Sequence, residues 1–436
     1  MLIDKGDDVV NEVSKIAEEY EIYMVQGKEI ELESEKNRLN FAKEEISEGI
    51  GIRVIKDNKV GFAFTSDFSK IKETAEQALS NTKLNKEDKN IKFAMPEKQI
   101  NVKNIYDKTF ESLDIETAID NLNNVIQQSE ERGCEVTSSG FSANEIERVI
   151  INSNGVNSSL QKTLFSIGLS VNVIKGTDIS TSYDSVVSTN YDNIKGDELS
   201  ENVCNLALNS LGGNNIETDD YNVVLDYHAA TGLLSTFISA FSSENVERGR
   251  SILKGKEGTQ ITTEALTLID DGAYDGGIYS RPFDGEGTVS ENTTLLENGV
   301  LNSFLYDITN ANKANTKSTS NGSRSYASTP SVAPSNLIFN FKESVGINEI
   351  QKGVLVSSVL GAHTANPITG DFSVEANNAF KIENGEITTP IKKAMISGNI
   401  FELLKDCQKV ESDIKQYGPY IIPKVLVHNL RVIGQN

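Results

Sequence analysis

Tryptophan is absent from this chain of 436 residues, cysteine and histidine each occur three times, and proline only eight times. Cys134, Cys204 and Cys407 stand far apart with no CxxC pair, which argues against a disulfide framework or a sulfur-rich zinc site, so all three are read as reduced and packed. No stretch approaches the roughly 18 apolar residues that a membrane-spanning helix requires. The opening, MLIDKGDDVVNEV, has no basic segment followed by an apolar one, so the expected location is the cytoplasm. Positive charge is scarce too: 41 Lys and Arg face 63 Asp and Glu, a net charge of −22. Direct nucleic-acid binding is therefore not expected, because phosphate neutralisation needs clustered cations on one face.

What is present is enough apolar residue, 38%, to form cores, in a chain long enough to divide into two domains. Val9, Val10, Val13, Ile16, Ala17 and Tyr20 keep helical spacing. Period-2 segments follow at Glu21 to Val25, Glu29 to Ser34, Gly49 to Ile55 and Val60 to Thr65, the last two joined as a hairpin at Lys56-Asp57-Asn58-Lys59. The stretch Leu39 to Glu45 is ambiguous. Ser69 and Ser112 read as N-caps of two helices. From Cys134 to Ser188 alternating strands are broken by turns at Ser153-Asn154-Gly155 and Lys175-Gly176-Thr177, the pattern of an antiparallel meander. A helix from Leu199 to Leu211 ends at Gly212-Gly213, and the polar run Gly213 to Asp220 is the candidate domain boundary. Beyond it the chain is mostly strands, with hairpin turns at Glu297-Asn298-Gly299 and Glu383-Asn384-Gly385. The aperiodic stretches Asp270 to Gly287 and Thr316 to Ser335 read as functional loops or flexible flaps.

The chain is organised around Tyr221 to Ile261. A β-branched strand, Val223 to Leu225, runs directly into a helix whose Ala230, Leu233, Leu234, Phe237, Ile238 and Phe241 form one apolar stripe. The junction of Asp226, Tyr227 and His228 is a position where sites are often built. The plain reading of His228 is a solvated helix residue, because the positive end of the helix dipole disfavours an imidazolium and no second ligand lies nearby in sequence. His363 and His428 are equally isolated. A substitute metal site of His228, His363 and Asp371 would have to be assembled by the fold, whereas zinc sites usually contain a short-spaced ligand pair. Arg281, Asp284, Glu286, His363 and Asp371 are the cleft candidates. The acidic ones, with Asp275, each adjoin a glycine and are read either as binding a cation or a peptide's basic groups, or as solvated turn residues. The run GRSILKGK misses the phosphate-loop spacing and puts Glu257 where Ser or Thr must hold magnesium, and no GxSxG elbow exists.

The run VVLDYHAATGLLSTFISAFSSENVERGRSILKGKEGTQI, then RPFDGEGT, TLLENGVLNSFLYD, VAPSNLIF, GVLVSSVLGAHTANPITGDFSVEANNAFKIENGEI and SGNIFELL, closely resembles the TldD/PmbA family, also called modulators of DNA gyrase. The resemblance covers nearly the whole chain, is densest from about Val223 onward, and is most specific in DGEGT and GDFSVEA. Within the family the chain is similar to the PmbA branch, also named TldE.

In the TldD branch a helix carries His-Glu-x-x-x-His, and a distant Cys completes a zinc site for peptide hydrolysis. Carried onto this chain, Tyr227 falls at the first His, His228 at the Glu and Gly232 at the second His. The Cys position falls near Gln416 to Gly418, where Tyr417 stands, while Cys407 comes too early. The resemblance thus implies a subunit with no catalytic residue and no metal of its own, with zinc expected in a TldD-type partner. It implies a heterodimer with that partner acting on unfolded peptides, an isologous homodimer being the form expected without it, and no membrane. An autonomous metal-dependent hydrolase using a substitute site stays open as the alternative, as does a nonenzymatic modulator of DNA gyrase, which rests on the family's name alone. The expected fold is α+β in two domains: residues 1–215 as an antiparallel sheet with helices, and residues 216–436 as a β-rich, barrel-like domain holding the degenerate metallopeptidase helix at 227–241.

Overall fold

The period-2 segments of the first half pair into one antiparallel sheet of six strands. These are β1 (Glu19–Glu35), β2 (Arg38–Lys56), β3 (Lys59–Thr65), β4 (Glu135–Asn152), β5 (Asn157–Lys175) and β6 (Asp178–Ser188), in the order β3-β2-β1-β4-β5-β6. The computed structural model in which this is seen describes residues 2–434; residues 1, 435 and 436, at the outer ends of the two domains read from sequence, lie outside it. The two segments expected at Glu21 to Val25 and Glu29 to Ser34 are one strand, and Leu39 to Glu45 is part of β2. Pairing is continuous from Glu19 opposite Ile55 to Glu35 opposite Arg38, with one irregularity at Glu33 and Ser34. At the far end of this pair the β2 residues before Gly49 are mostly exposed on both faces, which removes the apolar alternation that marks a strand in sequence. The β2–β3 hairpin turns through Asp57 and Asn58, both in the left-handed region at φ 53° and 57°, as a two-residue primed turn demands.

Helices α1 (Gly6–Val13) and α2 (Ile71–Asn81) pack Val9, Val13, Ala75 and Ala78 onto Ile22, Met24, Ile50, Ile52 and Val54 of the sheet. Helices α3 (Ile115–Glu131) and α4 (Gly196–Asn209) build a second core with Phe141, Phe165 and Ile167. Neither serine expected to cap a helix does so. Asp67 caps a short 3-10 turn ahead of α2, and Asp114 caps α3 by accepting from Thr117 N at 2.8 Å. An ionised carboxylate at the N-terminus also meets the helix dipole, which a hydroxyl does not.

The second half opens with β7 (Asp219–Leu225) and α5 (Tyr227–Ser239), followed by β8 (Leu266–Asp271), β9 (Asn292–Glu297), β10 (Leu337–Phe341), β11 (Lys352–Leu360), β12 (Asp371–Glu383), β13 (Ala394–Asn399), β14 (Cys407–Tyr417) and β15 (Tyr420–Gly434). Pairing runs β15-β13-β12-β11-β7 and returns from β7 to β15, which closes a β-barrel of five strands. Among these pairs only β7 with β11 is parallel. The long β15 also pairs with β14 and touches β10, bending between Val427 and Leu430, where Asn429 takes φ 53°. Helix α5 ends at Ser239, two residues short of the expected end, yet its whole apolar stripe through Phe241 is buried against Val354, Val356, Val425 and Val427.

The two aperiodic stretches are not open flaps. They carry Phe283 and Tyr326 against Tyr23, Ile150 and Leu160 of the first sheet. Tyr326 reaches β2 where Gly49 and Gly51 leave room: a Cβ on Gly51 would lie 2.3 Å from the Tyr326 carbonyl oxygen. Gly51→Ala should therefore cost about 1–3 kcal/mol in denaturant unfolding as the halves are forced apart. By contrast Gly168→Ala, whose Cβ meets nothing nearer than 3.8 Å, should stay within about 1 kcal/mol of the parent. Equal effects of the two changes would refute this close approach.

Candidate functional site

The strand β7 delivers the chain to α5 through Asp226, which caps the helix by accepting from Tyr227 N at 2.8 Å. His228 then faces across to the first sheet, where its Nε2 lies 2.8 Å from Asp184 Oδ1 on β6. The Tyr417 hydroxyl, from the end of β14, donates to the same carboxylate at 3.2 and 3.1 Å. Ser185 N adds a third donor at 2.7 Å. The His228 and Tyr417 rings are 4.3 Å apart, and Tyr227 stacks on Tyr417 at 6.0 Å. The ammonium groups of Lys415 and Lys424 sit over the Tyr227 ring at 4.9 and 5.8 Å. These residues line a cavity of about 230 Å³.

The electrostatics follow from that packing. Burial pushes Asp184 up, but the His228 hydrogen bond and charge, with Ser185 and Tyr417, outweigh it and hold the carboxyl below its ordinary value. Burial and the Asp184 carboxylate push Tyr417 up, and burial with Asp226 pushes Tyr227 up to about 12. Both phenols thus stay protonated at neutral pH and are poor metal ligands.

The resemblance placed Tyr227, Gly232 and Tyr417 near the motif's ligand positions and His228 at its Glu, and the fold does bring Tyr227, His228 and Tyr417 together. Their donor set is one imidazole, two protonated phenols and a carboxylate already accepting three donors, short of the three ligands a catalytic zinc takes from protein. Gly232 is closely packed: a Cβ there would meet Val359 Cγ2 at 3.1 Å and Ala362 Cβ at 3.6 Å. Cys407 is buried at the start of β14, its Sγ directed to Leu404 O at 3.5 Å. The substitute arrangement is not assembled. His228 is engaged by Asp184, His363 is exposed on the turn Ala362–Thr364, and Asp371 is exposed and held by Asn399 and Thr369, each at 2.8 Å. Among the described residues no three of His, Cys, Asp or Glu gather where a metal ion could be held.

Arg281, Asp284 and Glu286 are not solvated turn residues; they are buried between the two halves. Arg53 forks onto Glu21 at 2.8 and 2.9 Å and reaches Glu286 at 3.5 Å, while Arg324 lies 2.5 Å from Glu21. Asp284 accepts from the backbone of Gly322, Glu286 and Thr288 at 2.8, 2.8 and 3.0 Å. Burial, reinforced by Asp284 and Asp307, pushes Glu286 up to about 8 against the attraction of Arg53, and burial also raises Asp284. The residues that sequence reasoning missed, Asp184, Glu21, Arg53 and Arg324, sit in strands or loops far along the chain from the groups they meet. For Glu21, Arg53 and Asp184 the one signal was charge inside alternating segments, and Arg324, in an aperiodic stretch, had none.

Family models described as PmbA/TldA metallopeptidase domain 1, central domain and C-terminal domain match residues 20–82, 108–211 and 218–434. An uncharacterized protein of Methanocaldococcus jannaschii is 39% identical over 94% of this chain and 95% of its own length. A metalloprotease PmbA homolog of Haemophilus influenzae is 26% identical over 70% of this chain and 67% of its own. The crystal structure of TldE from Thermococcus kodakarensis superposes with a TM-score of 0.92 at 26% identity, covering 98% of this chain and all of that one.

The raised Glu286 has a measurable consequence. Between the ordinary carboxylate value near 4.3 and about 8, the folded chain holds a proton that the unfolded chain releases. Stability should therefore fall as pH rises through that window, by up to about 1.4 kcal/mol per unit, and level off above it. Glu286→Gln, isosteric and uncharged, should make the slope measured in urea unfolding at pH 5 to 8 less negative than the parent's. A variant with the parent slope would rule out the assignment.

Proposed function

The chain belongs to the PmbA/TldD metallopeptidase family, and from that premise we propose that it is the TldE-type subunit of a two-chain zinc peptidase acting on unfolded peptides. In this reading it holds no metal and its partner, a TldD-type chain, carries the zinc. The observation that carries the proposal is the Asp184–His228–Tyr417 cluster: beside the motif's ligand positions, a carboxylate, an imidazole and a phenol satisfy one another.

Other features support the role. The likeness to TldE extends over essentially the whole fold. Peptide backbone can be held by strand addition, which gives little sequence selectivity, and the outer edge of β2 from Arg38 to Gly49 is unpaired because β3 begins its pairing at Ile50. Leu39, Phe41 and Ile46 are exposed on that stretch. Among the described residues no helix is long and apolar enough to cross a membrane, and we place the complex in the cytoplasm. Without its partner the chain is expected to form a homodimer.

Elemental analysis of the purified chain should find zinc far below one ion per chain, with no cleavage of an unfolded protein substrate. Adding a TldD-type subunit should bring both zinc and cleavage, and His228→Ala in this chain should leave the zinc content of the pair unchanged. Stoichiometric zinc in the lone chain, with hydrolysis abolished by His228→Ala, would instead establish an autonomous hydrolase.

A further inference from the structure

A second cavity, of about 260 Å³, lies between the first sheet and the loops at 278–285 and 322–324. At ~30 Å³ per water it is ample for a small ion with part of its hydration. Its lining is unusual for a chain of net charge −22. Arg148 from β4, Lys162 from β5, Arg281 and Arg324 all border it, and no aspartate or glutamate does.

The cations are only partly taken up by partners. Arg281 uses one nitrogen on the Ser320 carbonyl at 3.2 Å, and its buried Nε has no acceptor. Arg324, whose side chain is fully buried, lies over the Tyr23 ring at 4.4 Å with its Nη2 2.5 Å from Glu21 Oε1, so its guanidinium adds positive charge from behind the cavity wall without reaching the cavity itself. The nearest carboxylates spend their oxygens elsewhere. Glu21 also holds Arg53, Asp284 takes three backbone donors, and Asp270 takes Asn321 at 2.7 Å and Ser335 at 2.7 and 2.9 Å. Lys162 donates to the carbonyls of Ile278 and Ser280 at 2.6 and 2.9 Å. Burial together with the positive charge of Arg148 and Arg281 pushes its ammonium down to about 7. A buried guanidinium with free N–H groups is costly unless something accepts from it, and its planar fork matches an oxyanion that offers two oxygens.

We propose that this cavity is an anion site, in which Arg281, Arg148 and Lys162 hold a compact oxyanion while the buried Arg324 behind them supplies further positive charge. Phosphate and the C-terminal carboxylate of a peptide share the required chemistry. The site lies apart from the Asp184–His228–Tyr417 cluster, shares no lining residue with that cavity, and does not depend on the peptidase reading.

The test uses the full chain at constant ionic strength in chloride. The probes are inorganic phosphate and a short peptide with either a free or an amidated C-terminus, read by thermal shift and calorimetry. Binding of at least one probe should raise Tm saturably. Arg148→Gln, at the rim, should weaken it about tenfold, and Arg431→Gln, remote from the site, should not. Binding by the free peptide but not the amidated one assigns the carboxylate source; binding by phosphate alone assigns the free ion. Because Arg148→Gln removes only a half-buried side chain, an unchanged Tm without probe certifies its fold, and Lys162→Met serves as the second variant if it does not. The proposal is overturned if neither probe binds in the millimolar range, or if a folded variant binds as tightly as the parent.

Discussion

The constraint on which the structure depends is the burial of Glu21. This carboxylate is wholly out of solvent on a strand that otherwise reads as half apolar, and an isolated charge in that place costs several kcal/mol. Arg53, opposite it in the β1–β2 register, answers it from within the first sheet. Arg324, from a loop of the second half, answers it from the other side. The first sheet therefore satisfies its own buried charge fully only when the second half is docked, and the docked loop in turn brings Glu286 within reach of Arg53. Tyr326, two residues beyond Arg324, packs where β2 has glycines instead of side chains. Charge pairing sets the register of this interface, and the apolar cluster around Tyr23, Ile150 and Phe283 supplies the burial that a desolvated ion network does not give by itself.

Docking of the halves is also what makes the helix-mouth cluster. Asp184 belongs to the first sheet, while His228 and Tyr417 belong to the barrel half, so the cluster exists only across the boundary. Each of its hydrogen bonds is worth about 1 kcal/mol in a neutral pair and more to a charged group. The cluster is therefore a second fastening of the two halves as well as a filled site. The Tyr227–Tyr417 stack with two lysine ammoniums over it closes the mouth further.

Much of the architecture was legible because it is local. The stripe from Ala230 to Phe241, the Asp57-Asn58 turn and the apolar run into α5 are set by neighbours within a dozen residues, and all appear as read. The misreadings have separate physical origins. Leu39 to Glu45 did not look like a strand because a solvated ribbon needs no apolar face. Ser69 and Ser112 looked like caps because hydroxyls commonly are, while aspartates two residues away carried the charge that the helix dipole favours. Asp284 and Glu286 looked like turn carboxylates because glycine flanks them. Their burial comes from Arg53 and the first sheet, more than 200 residues upstream. Likewise His228 seemed solitary, since its partner Asp184 lies on a strand of the other half. The resemblance carried the reading to Tyr417, which no periodicity singles out, and the fold places it against His228.

The same geometry shows why the missing ligands amount to more than two substitutions. At Gly232 the helix lies against β11 and the turn after it, so close that even a methyl group would press on Val359. An imidazole at that position requires Val359 and Ala362 to retreat, and with them the end of a barrel strand. At the first motif position, Tyr227 is buried and stacked, so a histidine there would leave the space of a phenol ring partly unfilled beneath the two lysines. Asp184, meanwhile, would compete with any metal for His228, since it already holds that nitrogen at 2.8 Å. The second position is thus tied to the first sheet, the first is filled by an aromatic stack, and the third is closed by close packing. Restoring a metal here means rebuilding the contact between the barrel, the helix and the first sheet together.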